Sequence, residues 1–235
     1  MARPRVLFED NHCLAILKPA GVLTMGDKSG DETMVDAARE YLRQKYQKPG
    51  NVFVGVVHRL DRPVSGVLLF ARTSKSAARL SEQFRKRTVR KIYRTLVEGH
   101  PAQRSGEFVD RLIKSHDDNR TRVVTPERTA KAAEPEGQEA RLRYTCLRRS
   151  GRFSLLEIEL LTGRSHQIRV QLSSRGLPIC GDVKYGAKTR MDGCLALHAA
   201  SLTFDHPTRH EPITITADEP DSWNQWLADA SPARR

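Results

Sequence analysis

GVVHRLDRPVSGVLLF, residues 55–70, sets apolar β-formers on either side of a polar turn. Short runs rich in Val, Leu and Phe, bounded by turn residues, predict strands, over 52–57 and 67–72. The turn between them carries one carboxylate, Asp61, with Arg59 two residues before it and Arg62 directly after it. A carboxylate close to guanidinium groups favours its ionised form, which suits a nucleophile or base better than a proton donor. The same pattern fits a turn aspartate paired to arginine for structure alone. Both readings stand on this segment.

Strand signals recur outward from it. VLFEDNHCLAILKPAGVLT (6–24) predicts a strand pair closed by the turn Lys-Pro-Ala-Gly. TMVDAAREYLRQKYQKPG (33–50) predicts an amphipathic helix with Val35, Ala38, Leu42 and Tyr46 on one face and Pro49-Gly50 as its stop. Thr33 and Asp36 have the spacing of a capping box, Asp standing in for Glu or Gln. SKSAARLSEQFRKRTV (74–89) predicts a second helix with Ala77, Leu80 and Phe84 on one side, and KIYRTLVEG (91–99) a strand. Residues 100–139 are polar and turn-rich, with a flexible loop expected over 126–139 and a disordered tail over 230–235. Strands are expected over 141–148 and 153–161. In 162–176, Ile168, Val170 and Leu172 alternate like a strand, but Ser165 as a cap and Gly176 as a stop favour a helix. LALHAASLTF and PITITA give two more strands and DSWNQWLADA a closing helix. Strands outnumber helices and follow one another through short turns. The expected fold is α+β: one domain over 1–235 with a mixed, largely antiparallel central sheet and flanking helices.

The 235 residues carry a net charge of +12, distributed as +4 over 1–78, +9 over 79–152 and −1 over 153–235. A basic stripe confined to one region is the electrostatic footprint of a polyanion binder; a solvated basic face is the plainer reading. No apolar stretch approaches the ~20 residues of a membrane span, and no secretory signal opens the chain. Cys13, Cys146, Cys180 and Cys194 form no CxxC pair, so neither a disulfide framework nor a zinc site follows, and reduced thiols in the cytoplasm are expected. The glycine-rich loops of dinucleotide and P-loop sites are absent, as are HExxH and GxSxG. Glycoside hydrolysis ordinarily needs two carboxylates, and this segment offers one. One ionised carboxylate can still act at an anomeric carbon when the leaving group needs little protonation, as a uracil ring does.

HRLDRPVSGVLLFART resembles the signature of the RluA-type RNA pseudouridine synthases. Four more segments agree in order and spacing: EDNHCLAILKPAGVLT (9–24), KIYRTLVEG (91–99), LLTGRSHQIRVQLSSRGLPICGDVKYG (160–186) and ALHAASLTFDHP (196–207). The resemblance implies that a uridine in RNA is detached from its ribose, turned and rejoined through carbon 5, with no cofactor and no metal. It implies that Asp61 is the catalytic carboxylate, acting through a covalent ribosyl adduct or by removing a ribose proton to give a glycal. Tyr93 would stack on the target base and assist proton transfer. Arg164 would pair with Asp61 and keep it ionised, and Arg62 would fill the gap left when the uridine flips out. Arg59 and His58 would support the loop. Arg59, Arg62, Arg79, Arg85, Lys86, Arg87 and Arg169 form the expected RNA-contacting set, while Leu69 and Ile168 could shape the base pocket or simply fill the core.

Val64 and Leu142 depart from the family pattern, where Thr is common at both positions. Longer relatives carry an RNA-binding domain before the catalytic one; here the first motif begins within ten residues of the start, so this domain is expected to hold its RNA unaided. The expected partner is a stem-loop in ribosomal or transfer RNA, with no membrane and a monomer by default. Two alternatives remain: an RNA-binding module without catalysis, and a different RNA enzyme, such as a uridine methyltransferase or a nuclease using His58 and His166.

Overall fold

Asp10 folds the first connection of the chain as an Asx turn, its Oδ1 accepting the backbone N–H of His12 (2.8 Å) and of Cys13 (2.7 Å). Strands β1 (Arg5–Glu9) and β2 (Cys13–Lys18) therefore pair as an antiparallel hairpin. The computed structural model describes residues 3–27, 29–115, 120–124 and 137–227. It divides into two compact units, Met1–Lys91 with His198–Glu219 and Ile92–Leu197 with Pro220–Arg235. Each unit takes two separate stretches of the chain.

In the first unit, helix α1 (Met34–Lys45) starts at the expected capping box: Thr33 Oγ1 accepts the Asp36 N–H, and the Asp36 carboxylate accepts the Thr33 N–H. Its buried face is Met34, Val35, Ala37, Ala38, Tyr41 and Leu42, whereas Tyr46, expected on that face, is exposed. Strand β3 (Gly55–Val56) lies antiparallel on β4 (Ser65–Ala71), every residue of which is buried. Strand β4 runs between β2, antiparallel to it, and β10 (Leu197–Asp205), parallel to it, so both its edges are paired, and Val67, Leu69 and Ala71 sit in the core cluster with Leu80 of the following helix. A strand covered on both faces reads as a continuous apolar run. Gly66 is required there: a Cβ would lie 2.4 Å from the Ala199 backbone nitrogen, and its φ is +121°. Helix α2 (Ser74–Lys86) is capped by Thr73 and ends at Arg87 in the left-handed region, and β11 (Pro212–Thr216) pairs with β10. The core gathers Cys13, Ala15, Val67, Leu69, Leu80 and Phe204.

The second unit holds β5 (Arg90–Glu98), β6 (Ser105–Lys114), β7 (Thr121–Val123), β8 (Gln138–Ser150) and β9 (Phe153–Leu160), ordered β5–β9–β8–β6–β7 and antiparallel throughout. Strands β6 and β7 correct the expectation of a turn-rich region over 100–139. The sequence conceals β6 because Asp110 interrupts its apolar side; it accepts hydrogen bonds from Gln171 (2.7 Å) and Arg175 (2.9 Å). Of the loop expected over 126–139, residues 126–136 lie outside the described residues, and Gln138 and Glu139 already belong to β8. The tail over 230–235 also lies outside them.

Helix α3 (Gln167–Ser173) confirms the helical reading but not its cap. His166, at φ +52°, is the N-cap residue and makes no side-chain capping bond; Ser165 is outside. Gln167 organises the turn instead, its Oε1 accepting from Thr162 Oγ1 (2.7 Å) and the Arg164 N–H (3.0 Å) while its Nε2 donates to the Arg141 carbonyl (3.0 Å). Gly176, at φ +72°, follows the helix end as expected. Helix α4 (Asn224–Leu227) closes the described chain. The fold class is thus α+β with mixed, largely antiparallel strands. Among the described residues no helix is long and apolar enough to cross a membrane.

Candidate active site

Asp61 is half-buried in the connection from β3 to β4, in a turn closed by the Val64 N–H donating to the Asp61 carbonyl (3.0 Å). The segment 18–24 holds this turn from beneath. Lys18 is fully buried at the end of β2, and its Nζ donates to the carbonyls of Pro19 (3.0 Å), Arg62 (3.0 Å) and Val64 (2.6 Å). Thr24 Oγ1 donates to the Leu60 carbonyl (2.8 Å) and accepts the Leu60 N–H (3.2 Å). The Gly21 N–H donates to the Arg62 carbonyl (2.8 Å). Ammonium–carbonyl bonds are charge-assisted and exceed neutral ones in strength, so the backbone that carries Asp61 is fixed. Sequence reading missed Lys18: a lysine ending the apolar run CLAILK looks like a solvent-facing residue, and only the following Pro-Ala-Gly hints that the chain turns over it.

The neighbours of Asp61 differ in what they do. Arg59 is exposed and makes no hydrogen bond or ion pair among the described residues. The Arg62 side chain is engaged, with Nε donating to the Gly21 carbonyl (3.0 Å) and Nη1 paired with Asp31 Oδ2 (2.8 Å). His58 Nε2 accepts the Leu69 N–H (2.9 Å) and the ring stacks on Phe84 at 4.8 Å. Burial, helped by the charge of Lys91, pushes the His58 imidazole down to about 3, so it is neutral at physiological pH. A neutral histidine with its Nε2 lone pair in use cannot act as the acid of a nuclease. Lys91 is half-buried and pushed down to about 8 by burial, with Arg87 adding to the effect.

On α2, Arg85 and Lys86 both pair with Glu82, and Arg87 is exposed at the helix end. Arg79 is half-buried and donates to the Pro207 carbonyl (2.6 Å). Leu69 is fully buried in the apolar cluster, its side chain part of the core and not the wall of a base pocket.

In the second unit, Tyr93 is half-buried on β5, opposite Ile158 of β9. Arg164 precedes α3, and its Nε donates to the Glu139 carbonyl (3.0 Å). Ile168 is 4% exposed and belongs to the packed side of α3. Arg169 corrects the expected RNA-contacting set: it is buried, bonded to Asp182 through Nε (2.6 Å) and Nη2 (2.7 Å), with its guanidinium over the Tyr185 ring. All of Gln167–Leu172 is buried, so position 169 faces inward. The basic middle of the chain is also partly self-compensated. Arg94 pairs with Glu157 (2.8 Å), and Arg141 and Arg143 share Glu107 (2.6 and 3.1 Å).

Asp10, Cys13 and His206 bring potential metal-ligand atoms within 4.8 Å of one another. Their own bonds account for the cluster: His206 Nε2 meets Asp10 Oδ2 at 2.6 Å, and His206 Nδ1 accepts the Arg209 N–H (3.0 Å). Burial pushes the Cys13 thiol up to about 12. This is a clasp between two turns of the first unit, not an open ligand set.

Comparison with known proteins places the chain among relatives of one family. Residues 12–174 match the family model described as RNA pseudouridylate synthase. A Ribosomal large subunit pseudouridine synthase D from Zymomonas mobilis is 33% identical over 226 residues, spanning 92% of this chain and 69% of that protein. A protein of the same name from Xanthomonas campestris is 36% identical over 241 residues, spanning 95% and 68%. Among solved structures, Human RNA Pseudouridylate Synthase Domain Containing 4 shares the fold with a TM-score of 0.78 at 23% identity, over 96% of this chain and 92% of that one.

Proposed function

We propose, since this chain belongs to the RNA pseudouridylate synthase family, that it isomerises uridine to pseudouridine in structured RNA with Asp61 as the carboxylate acting at the ribose. The activity class, an isomerase working on RNA, is that of the family. The observation that carries the assignment to Asp61 is its position in a turn whose backbone is fixed by Lys18, Thr24 and Gly21. The bond from C1′ to N1 breaks, a bond from C1′ to C5 forms, the C5 hydrogen leaves as a proton, and N1 takes up a proton. Mass and length of the RNA are unchanged. Tyr93 stacks on the base and Arg164 supports the carboxylate, roles that rest on the family motifs at these positions.

The substrate is ribosomal RNA of the large subunit, a reading supported by the names of the two bacterial relatives, with transfer RNA as the second candidate. The setting is the cytoplasm, consistent with free thiols at all four cysteines. RNA is held by exposed cations, Arg59 beside the turn and Arg85, Lys86 and Arg87 at the end of α2, so binding weakens as salt rises. The test is tritium release from RNA labelled at carbon 5 of uridine and transcribed without modification, using ribosomal and transfer RNA separately and no cofactor. Release from the ribosomal transcript is expected. Shortened RNA, or binding without release from either RNA, would overturn the isomerase reading.

A further inference from the structure

Tyr46 follows the last residue of α1 and leaves helical geometry, with φ −106° and ψ 9°; it is 42% exposed. Its ring is nevertheless fixed. The Tyr46 hydroxyl donates to Glu9 Oε1 (2.7 Å), and Arg72 Nη1 donates to the same carboxylate oxygen (3.2 Å) and to the Tyr46 hydroxyl (3.3 Å). The Arg72 side chain is only 7% exposed, and its guanidinium carbon lies 4.7 Å from the Tyr46 ring centroid. The ring therefore covers a buried guanidinium with one face and turns the other to solvent. Burial alone would raise the Glu9 carboxyl, but the bonds from Lys45, Tyr46 and Tyr41 outweigh it and hold it below its ordinary value. One ionised carboxylate anchors the whole group.

Cations surround the exposed ring. Lys45 Nζ donates to Glu9 Oε2 (2.6 Å) and stands 5.6 Å from the Tyr46 centroid. Lys48 Nζ stands at 5.8 Å and makes no hydrogen bond or ion pair among the described residues. Arg3 lies over the neighbouring Tyr41 ring at 5.1 Å. In this cluster four cations, Arg3, Lys45, Lys48 and Arg72, meet the one carboxylate of Glu9. A fixed aromatic face rimmed by cations suits a single-stranded nucleic acid, whose bases stack on the ring while phosphates meet the amines. Bases inside a duplex have both faces covered, so the matching ligand is an unpaired nucleotide.

We propose that Tyr46 is a stacking platform for an unpaired base of the RNA substrate, with Lys48 meeting the adjacent phosphate. The proposal rests on the reading of RNA as the partner. Arg72 directly follows the last residue of β4, Ala71, while the Asp61 turn leads into its first, Ser65. At about 3.3 Å per residue the strand sets the two about 20 Å apart. The platform thus holds RNA that flanks the target uridine, not the uridine itself.

The test compares the native protein with Tyr46→Phe, Tyr46→Leu and Lys48→Gln. Both tyrosine variants lose the hydroxyl and its bond to Glu9, but only Tyr46→Phe keeps a ring. The probes are a cytidine decamer, which offers no uridine to isomerise, and an unmodified large-subunit ribosomal RNA transcript labelled at carbon 5 of uridine. Decamer affinity is measured against salt, and tritium release from the transcript gives kcat and KM. Thermal melting verifies that each variant is folded. Tyr46→Phe is expected to bind the decamer as the native protein does, whereas Tyr46→Leu binds it about five- to a hundredfold more weakly, the loss of one stacked base. The salt slope of Tyr46→Leu stays native, because no phosphate contact is lost. Lys48→Gln flattens the slope by about 0.7, one phosphate fewer on a single strand. With the transcript, Tyr46→Leu raises KM and leaves kcat unchanged.

Equal decamer affinity in Tyr46→Phe and Tyr46→Leu would mean that the ring only covers Arg72, and would overturn the proposal. A native protein that does not bind the decamer at low salt would also overturn it, as would a slope that flattens in Tyr46→Leu as much as in Lys48→Gln. An unchanged KM in Tyr46→Leu would overturn the role of the platform on the substrate. If the platform fails while the native protein releases tritium, the isomerase reading stands. If the native protein releases no tritium, that reading fails, and the decamer affinities still decide whether Tyr46 stacks on a base.

Discussion

Asp61 and Arg164 each sit in a short turn leading into a buried element, β4 in one unit and α3 in the other. Beneath the Asp61 turn, Lys18 presents a buried cation to three carbonyl oxygens. Beneath the Arg164 turn, Gln167 presents a neutral amide to a hydroxyl, an N–H and a carbonyl. The geometric problem is the same, since backbone polar groups entering a core need partners. The solutions differ in charge: a cation lies under the segment bearing a carboxylate, and an uncharged group lies under the segment bearing a guanidinium. Each choice avoids placing like charge under the side chain on display. In each turn one buried residue thus serves both backbone satisfaction and charge.

The comparison can be broken by removing these supports. Lys18→Met removes the charged donor shared by the Pro19, Arg62 and Val64 carbonyls, and a loss of about 3–5 kcal/mol is expected by urea unfolding, since a hydrogen bond to a charged group contributes about 1.5–3 kcal/mol. Gln167→Leu should cost less, about 1–3 kcal/mol, because the bonds it removes join neutral groups to a neutral amide. Equal losses would show that charge is incidental to the difference. Asp182→Asn, which takes the carboxylate away from the buried Arg169 guanidinium, should also cost about 3–5 kcal/mol and leave the salt slope of RNA binding unchanged. A flatter or steeper slope would return Arg169 to the RNA-contacting surface.

The smallest effect concerns pH. His58 is held at about 3 in the folded protein against 6.5 when free, so below 6.5 the unfolded chain takes up a proton that the folded one refuses. The stabilisation is complete above about 6.5 and is lost as pH falls from there toward 3. Between pH 7 and 5 it should account for about 1–2 kcal/mol of stability loss, absent in His58→Gln when the two unfolding profiles are subtracted. Identical profiles would place His58 in a solvated environment.

Much of this organisation was legible in the residues. The Thr33–Asp36 spacing announced the start of α1, and the apolar run after Pro63 announced β4, because backbone capping and double-sided burial leave local signatures. Strand β6 was hidden by Asp110, a charge on its inward side whose partners Gln171 and Arg175 come from α3 and the turn after it. Arg169 looked like a basic contact because a sequence does not show which way a helix turns its third residue. The pair of arginines around Asp61 suggested that both serve the carboxylate; in the folded chain the Arg62 side chain is held by Gly21 and Asp31, the latter thirty-one residues away. Local pattern reveals elements and caps. Long-range polar partners emerge only from the fold.

The most direct test of the account is the rate of tritium release by Asp61→Asn from the unmodified, carbon-5-labelled ribosomal transcript, beside the native protein, with RNA affinity and unfolding midpoint measured on the same samples. The account predicts a fall in turnover of at least about a thousandfold, as for loss of an essential catalytic group, with affinity and midpoint nearly unchanged. Turnover within about tenfold of the native protein, with affinity and stability intact, would contradict it and reduce Asp61 to a structural member of its turn.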